Sequence, residues 1–436
     1  METLLSESLW GDESFSAMAV QRPFWEMIGV VMRDTAPPLF YVLGWLWGRV
    51  FGFSEVALRS LSFLLMVGAA GFAALTVWQI CKSRFLAVAA GLITIFTPFL
   101  VPFAFEWRMY ALLCFTVAGS IYFFVARRWL GYIIFTTASL YTHHFALFTV
   151  ASQGLWFLAS EVDWNNRKAL VMQLRPFWIV ALLYLPWLYP MYLQVVRVRG
   201  AGFWLTVPTV SEVVDLLYRF MLGGVGGKWK AVVSILVGIL LLGKDWRGIW
   251  QRWLEVMVVT LFPVLGAYLV SYFITPIFYD RYLLSVVVGM VVLTVVGVRK
   301  LLWPVIVGLI VIYVFSSLTL FFHPGKRPFR DLAAYVISER REGDFLINYN
   351  GKAHHLWESK YYGITAPIYA PSGPLPLYVG TAQMTAEDTS AKLPEDSLRL
   401  GVITSDPVEN IILPSSWERQ AVAEFGDLKV VWFSHL

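Results

Sequence analysis

Seven apolar runs of the sequence are each long enough to cross a bilayer as a helix. A helix needs about 20 predominantly apolar residues to cross roughly 30 Å of hydrocarbon. The composition agrees, because 58% of the residues are hydrophobic and 14% are charged, whereas soluble proteins carry about 25% charged residues. We therefore predict an α-helical polytopic membrane protein. The runs are 56–80, 85–103, 107–126, 170–190, 253–273, 281–298 and 301–322.

Two further stretches raise the predicted number of spans. The apolar run 129–160 is interrupted by the polar residues 141–144. This interruption favours two short helices joined by a tight turn over one long helix. The segment 229–243 is a shorter candidate span. We therefore predict about ten spans.

The first 55 residues are rich in aromatic side chains and are broken by prolines. Stretches 23–32 and 36–52 are short, and the second opens with Pro37-Pro38 and carries Arg49 near its end. Short aromatic helices of this kind lie in the plane of the membrane interface. We predict that residues 1–55 form an external loop with interfacial helices.

The connections between spans differ in charge on the two sides. The positive-inside rule places residues 1–55, the loop 191–228 and the C-terminal segment outside a prokaryotic plasma membrane. Lys326, Arg327 and Arg330 disagree, since they follow the last span on that external side. The basic connections that we assign to the cytoplasm are Lys82/Arg84, Arg127/Arg128, Arg167/Lys168, Lys244/Arg247/Arg252 and Arg299/Lys300.

From residue 323 onward the composition becomes that of an ordinary globular domain. Alternating and apolar patterns there predict one helix and three strands, in a small α/β domain of about 110 residues. We therefore divide the chain into a transmembrane domain, 1–322, and an extracytoplasmic α/β domain, 323–436. The predicted helix is 329–342, and the predicted strands are 344–349, 399–404 and 429–433.

Several function classes find no support in the sequence. The basic residues form small groups between apolar runs, so no basic face for nucleic acid is present. Cys81 and Cys114 lie in or beside apolar runs, which argues against a disulfide framework or a thiolate metal site. GGVGGKW at 223–229 lacks the first glycine of a P-loop. His354 and Glu358 are one helical turn apart, but a third metal ligand is missing.

Seven ionisable residues collect on the predicted external face. Taken singly, each fits a solvated loop charge or a helix-end residue whose charged head reaches water. Taken together they offer chemistry, because a carboxylate can accept a proton from a nucleophile and a guanidinium can hold a phosphate. The seven are Asp12, Glu13, Asp34, Glu106, Arg108, Asp280 and Arg281.

Four strings in this region resemble the GT-C superfamily of integral-membrane glycosyltransferases. The resemblance is to the branch with protein O-mannosyltransferases and lipid A aminoarabinose transferases, the glycosyltransferase family 39-like enzymes. It covers roughly residues 8–300 and keeps the order and approximate spacing of the family. The strings are SLWGDESFSA, RDTAPPLFYVLGWLWGRVFGFSEVALRSLSFL, FEWRMYALL and YDRYLL.

The resemblance implies a GT-C fold and a definite reaction. Such enzymes transfer a sugar, with inversion, from a dolichyl or undecaprenyl phosphate to an acceptor at the external or luminal face. The acidic pair of the first external loop maps onto Asp12, the catalytic aspartate, with Glu13 beside it. An acid of the second external loop maps onto Glu106, so the resemblance gives Asp12, Glu13 and Glu106 as the candidate catalytic residues.

The residues themselves suit those roles. An acceptor hydroxyl is a poor nucleophile at neutral pH, so a carboxylate must accept its proton, and we assign this to Asp12. The departing lipid phosphate needs a cation; Arg281 is the first candidate, followed by Arg59 and Arg108. The complete set of predicted substrate-binding residues is Asp34, Arg59, Arg108, Tyr110, Lys228, Arg281 and Tyr282.

Two features depart from the family. Relatives often have a histidine before the proline pair, whereas this chain has Asp34-Thr35-Ala36-Pro37-Pro38. Relatives also begin with a transmembrane helix before the acidic loop, whereas Met1 lies eleven residues before Asp12. We expect that the natural reading frame starts further upstream or that the sequence is a fragment.

Two other function classes remain open. A transporter or flippase of lipid-linked saccharides also has many spans and a few membrane charges, although transporters carry them near the bilayer midplane. An envelope scaffold would use the α/β domain to bind a partner and would not need Asp12.

For the leading interpretation, a glycosyltransferase, the partners are a polyprenyl-phosphate sugar, membrane lipids and an acceptor protein, lipid or glycan. A divalent cation remains open as a cofactor, although no complete ligand set is readable.

Overall fold

A computed structural model describes residues 2–164, 171–201, 205–223, 249–299, 303–351, 354–394 and 397–436. Within them, four helices are long and apolar enough to cross a membrane, and six other apolar helices are shorter. The predicted polytopic membrane fold is confirmed. In chain order, the helices are α1 (Gly11–Gln21), α2 (Phe24–Arg33), α3 (Leu39–Phe51), α4 (Glu55–Cys81), α5 (Arg84–Ile95), α6 (Val101–Ala104), α7 (Tyr110–Val125), α8 (Trp129–Leu140), α9 (Ala146–Ser160), α10 (Arg175–Ala201), α11 (Val210–Leu222), α12 (Trp250–Phe273), α13 (Ser285–Gly297), α14 (Trp303–Phe322), α15 (Phe329–Glu339) and α16 (Leu356–Tyr361).

Three of the seven predicted spans are shorter than the sequence suggested. Helices α5, α7 and α13 have 12, 16 and 13 residues. Helix α5 ends before Pro98, because proline has no backbone N–H to continue the helical hydrogen bonds. Helix α13 begins late because Asp280–Leu283 form a separate 3-10 turn. The residues removed from these spans build the loops at one end of the bundle.

The other local predictions for the helical part have mixed outcomes. Helices α8 and α9 flank a turn at 141–145, as the interruption at 141–144 predicted. The two stretches predicted as interfacial helices form α2 and α3. Helix α1 was not predicted, although Asp12 and Glu13 in its first turn are a recognised start signal. The candidate span 229–243 lies outside the described residues.

Helices α4 and α7 form the centre of the bundle. Helix α4 packs against α5, α7 and α13. Its N-cap residue is Ser54, whose hydroxyl accepts the N–H of Ala57 at 3.3 Å. Its buried face carries Ala69, Ala70 and Ala73. Small side chains let the backbones of neighbouring helices approach closely, which favours association inside a membrane.

The C-terminal part contains a six-stranded sheet, three strands more than predicted. Its order is β3-β2-β1-β4-β6-β5; β1 to β4 run parallel, while β6 and β5 form an antiparallel hairpin at one edge. Helix α15 covers one face through Phe329, Leu332 and Val336. The strands are β1 (Phe345–Asn348), β2 (Ile368–Tyr369), β3 (Thr389–Ser390), β4 (Arg399–Thr404), β5 (Trp417–Phe425) and β6 (Leu428–His435).

This α/β region packs directly on the N-terminal helices. Helix α16 contacts α1, and the ring of Trp357 meets that of Phe15 edge-on at 5.5 Å. The loop after β2 adds polar contacts, since Gln383 donates to the carbonyl of Phe15 at 2.8 Å and Arg33 donates to the carbonyl of Ala382 at 3.2 Å. The start of α1 is thereby enclosed between the helical bundle and the sheet.

Close packing of α3 against Trp107 gives a first prediction. A Cβ at Gly44 would lie 2.8 Å from the ring of Trp107, which is fully buried. We expect Gly44→Ala to destabilise the protein by about 1–3 kcal/mol, because an overpacked core must shift. Thermal unfolding in detergent would measure the loss. Gly71→Ala in α4 is the control, since a Cβ there meets no atom within 4 Å; equal stability of the two variants would contradict the prediction.

Candidate functional site

The acidic pair lies in the first turn of α1. Asp12 and Glu13 follow the tryptophan that precedes the helix, and the backbone N–H of Trp10 donates to the Glu13 carboxylate at 3.4 Å. Negative charge is favourable here because the first backbone N–H groups of a helix are unpaired and point toward its start. Glu13 is fully buried, whereas Asp12 is half-buried.

Glu13 forms a buried ion pair with Arg59 of α4. The guanidinium donates to both carboxylate oxygens, at 2.9 and 2.7 Å, and both side chains are 0% exposed. The other three N–H groups of Arg59 bond to the carbonyls of Leu5, Glu7 and Ser8. All five donors of the guanidinium are therefore used within the protein, and the pair leaves no side-chain surface for a substrate.

Two more groups bind the same carboxylate. The backbone N–H of Trp107 donates to Glu13 at 2.7 Å, and the ammonium of Lys326 does so at 3.0 Å. Burial alone would raise the pKa of Glu13, but Lys326 and Arg59 outweigh burial and lower that pKa to about 2. Glu13 is thus ionised at neutral pH and joins α1, α4, the loop before α7 and the residues after α14.

The carboxylate of Asp12, unlike that of Glu13, is not bound to other groups of the described chain. Within the described part of the chain, its side-chain oxygens accept no hydrogen bond. Arg108 fixes the backbone beneath it, donating to the carbonyl of Asp12 at 3.2 Å and to the hydroxyl of Ser16 at 2.8 Å. The Arg108 guanidinium also faces the charge of Asp34. Asp12 is therefore a positioned, half-exposed carboxylate with a cation beside it.

Asp34 and Tyr41 also interact electrostatically with Arg108. The Tyr41 hydroxyl donates to the Asp34 carboxylate at 3.4 Å. Burial raises the pKa of Asp34, and the Arg108 guanidinium opposes that shift. The predicted residues Asp12, Asp34 and Arg108 thus belong to one electrostatic cluster.

Glu106 is a buried carboxyl without a full set of partners. It is 5% exposed, and its Oε1 atom has no hydrogen-bond partner among the described residues. Burial raises the pKa of Glu106 to about 7, against the opposing charges of Lys326 and Arg281. Tyr110 is buried and interacts electrostatically with Glu106. This carboxyl can change its charge near neutral pH.

Arg281 supplies a cation at the same end of the bundle. It lies on the Asp280–Leu283 turn, and its guanidinium sits over the ring of Trp10 at 4.8 Å. Within the described chain, its side chain makes no hydrogen bond or salt bridge. The next residue, Tyr282, packs its ring at 5.1 Å from those of His143 and Phe145. Arg281 is thus oriented by aromatic rings and can accept an anionic ligand.

Three basic residues that contradicted the charge rule bind carboxylates of the protein. Lys326 bridges Glu7 and Glu13, at 3.5 and 3.0 Å. The other two pair in the same way, Arg330 with Glu55 at 2.7 Å and Arg327 with Asp427 at 2.7 Å. The sequence analysis did not name Lys326 as a site residue. The signal that could have identified it was a basic residue directly after the last span, on the predicted external side.

The predicted substrate-binding residue Lys228 lies outside the described residues. Among the residues that the structure describes, no group of three His, Cys, Asp or Glu side chains is arranged to hold a metal ion. The histidine pair bonds within the protein, His144 to the amide of Gln194 at 3.0 Å and His143 to the N–H of Phe145 at 3.2 Å.

The buried ion pair gives a second prediction. Arg59→Ala should cost about 3–5 kcal/mol of stability, because it leaves Glu13 as a buried charge without its main partner. Unfolding in detergent would measure this loss. In the unaltered protein, the lowered pKa means that the stability from Glu13 is complete above its ordinary value of 4.5 and is lost as the pH falls toward 2.

Arg327→Ala is the matched control for Arg59→Ala. Arg327 and Asp427 are 47% and 55% exposed, and an exposed pair contributes only about 0–1 kcal/mol. Equal losses in the two variants would show that the buried pair has no special role.

Comparisons with known proteins identify the fold. No protein-family model matches the sequence, and no curated protein matches it significantly. Among solved structures, ArnT from Cupriavidus metallidurans bound to undecaprenyl phosphate has 12% identity and a TM-score of 0.67, over 98% of this chain and 95% of that chain. Its apo state gives 13% identity and the same TM-score, over 98% and 94%.

A more distant structure also matches. The oligosaccharyltransferase of Archaeoglobus fulgidus has a TM-score of 0.41 and 13% identity, over 77% of this chain and 52% of that chain. That score is too low to carry an argument. ArnT is a lipid A aminoarabinose transferase with the GT-C fold. Since the likeness to ArnT extends over 98% of the chain, the fold of this protein is of the GT-C type, as predicted from the sequence.

Proposed function

We propose that the chain transfers a sugar from a polyprenyl-phosphate donor to an acceptor hydroxyl, with inversion at the anomeric carbon. The reaction would take place at the external face of a prokaryotic plasma membrane. The observation that carries the proposal is the half-exposed carboxylate of Asp12 at the same end of the bundle as the unpaired guanidinium of Arg281. A carboxylate base and a phosphate-binding cation are the two groups that this reaction requires.

Asp12 acts as the general base. Its carboxylate accepts the proton of the acceptor hydroxyl while the hydroxyl oxygen attacks the anomeric carbon. Arg108 supports this role, because it holds the carbonyl of Asp12 and the hydroxyl of Ser16 on the first turns of α1. Glu13 and Arg59 act indirectly: their buried pair positions the start of the helix.

Arg281 binds the donor phosphate and stabilises the charge that develops as the lipid phosphate departs. An apolar cavity of about 200 Å³ between α11 and α12 is lined by side chains that include Val213, Leu217 and Val264. Helix α11 is joined to the Arg281 turn, since Arg219 pairs with Asp280 at 3.1 Å. The cavity suits part of a polyprenyl chain, and the solved ArnT structure with undecaprenyl phosphate is consistent with a donor of this class.

Replacement of the base gives the third prediction. With purified protein in detergent, polyprenyl-phosphate sugars and a panel of acceptors, Asp12→Asn should lower sugar transfer by about 10²–10⁴-fold, because an amide cannot accept the proton. Glu26→Gln is the control, since Glu26 is an exposed carboxylate of the same N-terminal segment. Equal transfer by Asp12→Asn and the unaltered protein would overturn the mechanism. A transporter or scaffold would give no transfer with any donor or acceptor.

Titration of Glu106 gives the fourth prediction. Its pKa of about 7 means that the carboxyl is largely neutral below pH 7 and charged above it. A charged Glu106 would repel the donor phosphate and compete for Arg281. We therefore expect the KM for the donor to rise several-fold between about pH 6 and pH 8. In Glu106→Gln this rise should disappear, and an unchanged rise would contradict the assignment.

A further inference from the structure

The sheet of the C-terminal region contains a topological switch point. From β1 the chain moves outward to β2 and β3, and it then returns to β4 on the opposite side of β1. Strands β1 and β4 are parallel neighbours, so their carboxyl ends lie side by side. In open α/β sheets, ligands bind in the crevice outside these ends, where the strand order reverses.

Three side chains near the carboxyl ends of β1 and β4 are connected in series by hydrogen bonds. Ser405 follows β4 directly, and His355 and Glu358 lie at the start of α16. The Ser405 hydroxyl is 3.2 Å from Nε2 of His355, and Nδ1 of His355 is 3.2 Å from Oε1 of Glu358. Because a carboxylate only accepts, Nδ1–H donates to Glu358, which leaves Nε2 to accept the proton of Ser405.

The hydroxyl of Ser405 can be reached from solvent, whereas the imidazole and the carboxylate are buried. Ser405 is half-buried, whereas His355 and Glu358 are 2% and 6% exposed. The imidazole also packs against the ring of Phe329, at 5.8 Å between centroids. A reachable hydroxyl, a fixed imidazole and a buried carboxylate form the Ser-His-acid arrangement, which is recognised by geometry and not by position in the chain.

We propose that Ser405, His355 and Glu358 form a second catalytic site, which hydrolyses a carboxylic ester. The Ser405 oxygen attacks the ester carbonyl carbon while its proton passes to Nε2 of His355. The bond from the acyl carbon to the alcohol oxygen breaks, and the alcohol leaves with that proton. Water then cleaves the acyl-Ser405 ester, which releases the carboxylic acid and restores the serine.

The charges around Ser405 favour a neutral ester over a phosphate ester. Glu358 lies on one side, and Asp406, the next residue along the chain, accepts a hydrogen bond from Asn350 at 2.6 Å. Negative charge on the acid of this arrangement and on the residue next to Ser405 disfavours an anionic substrate. The Oε1 atom of Glu358 is also 3.5 Å from the position of a Cβ on Gly11, so the proposed site lies near the start of α1 without sharing the carboxylate of Asp12.

Labelling with a fluorophosphonate tests the proposal in the full-length protein in detergent. The expected result is covalent labelling of Ser405, identified by mass spectrometry of the peptide. Labelling should be absent in Ser405→Ala, at least about 100-fold slower in His355→Gln, and about tenfold slower in Glu358→Gln. Ser434→Ala is the matched control, because Ser434 is a half-buried serine of the same sheet and should leave labelling of Ser405 unchanged.

Hydrolysis of p-nitrophenyl acetate, with p-nitrophenyl phosphate as the anionic comparison, provides the second measurement. Acetate hydrolysis that depends on Ser405 supports the proposal. Absence of label on Ser405 in the unaltered protein overturns it, and so does labelling that His355→Gln does not slow. The unaltered protein alone gives the first of these results, so poor folding of a variant cannot obscure it. Sugar transfer is a separate assay, and its failure would leave the ester result intact.

Discussion

The buried ion pair of Glu13 and Arg59 is the interaction on which the arrangement of the candidate site around Asp12 depends. Removing two charges from water costs several kcal/mol per ion, and the cost is offset only where geometry and additional hydrogen bonds are excellent. Here the guanidinium uses all five of its donors, and the carboxylate also receives Trp107 and Lys326. Since these partners come from four separate parts of the chain, none of them can move alone without exposing a buried charge.

Adjacent carboxylates thereby acquire opposite properties. Successive residues of a helix point about 100° apart, so Glu13 faces inward while Asp12 faces the half-exposed side. The buried member is held ionised by its neighbours and organises the site. The half-exposed member has no internal partner within the described chain and is available for chemistry. The cluster of Ser405, His355 and Glu358 shows the same division between buried and exposed groups. Glu358 and His355 are buried, whereas Ser405 can be reached from solvent.

Local patterns in the sequence predicted a large part of the fold. The apolar runs, the turn at 141–145 and the strand at 399–404 follow from short-range periodicity and polarity. The hairpin partner β5 was missed, because its exposed and charged residues show little of the apolar pattern that β6 has. Helix α1 was also missed, since its buried residues include Glu13, Ser14 and Ser16, so its apolar periodicity is weak. Span lengths were overestimated where apolar residues continue into loops, as they do after α5.

The sequence by itself determined that this is a polytopic helical membrane protein, and it singled out the acidic pair and its accompanying arginines. Apolar length and short motifs are local properties, so they can be read without coordinates. Only the tertiary structure decided which acid is buried, that Arg59 is fully used inside the protein, and that Lys326 joins the site from beyond the last span. Those outcomes depend on burial and on contacts between residues as far apart as Glu13 and Lys326, which no local pattern encodes.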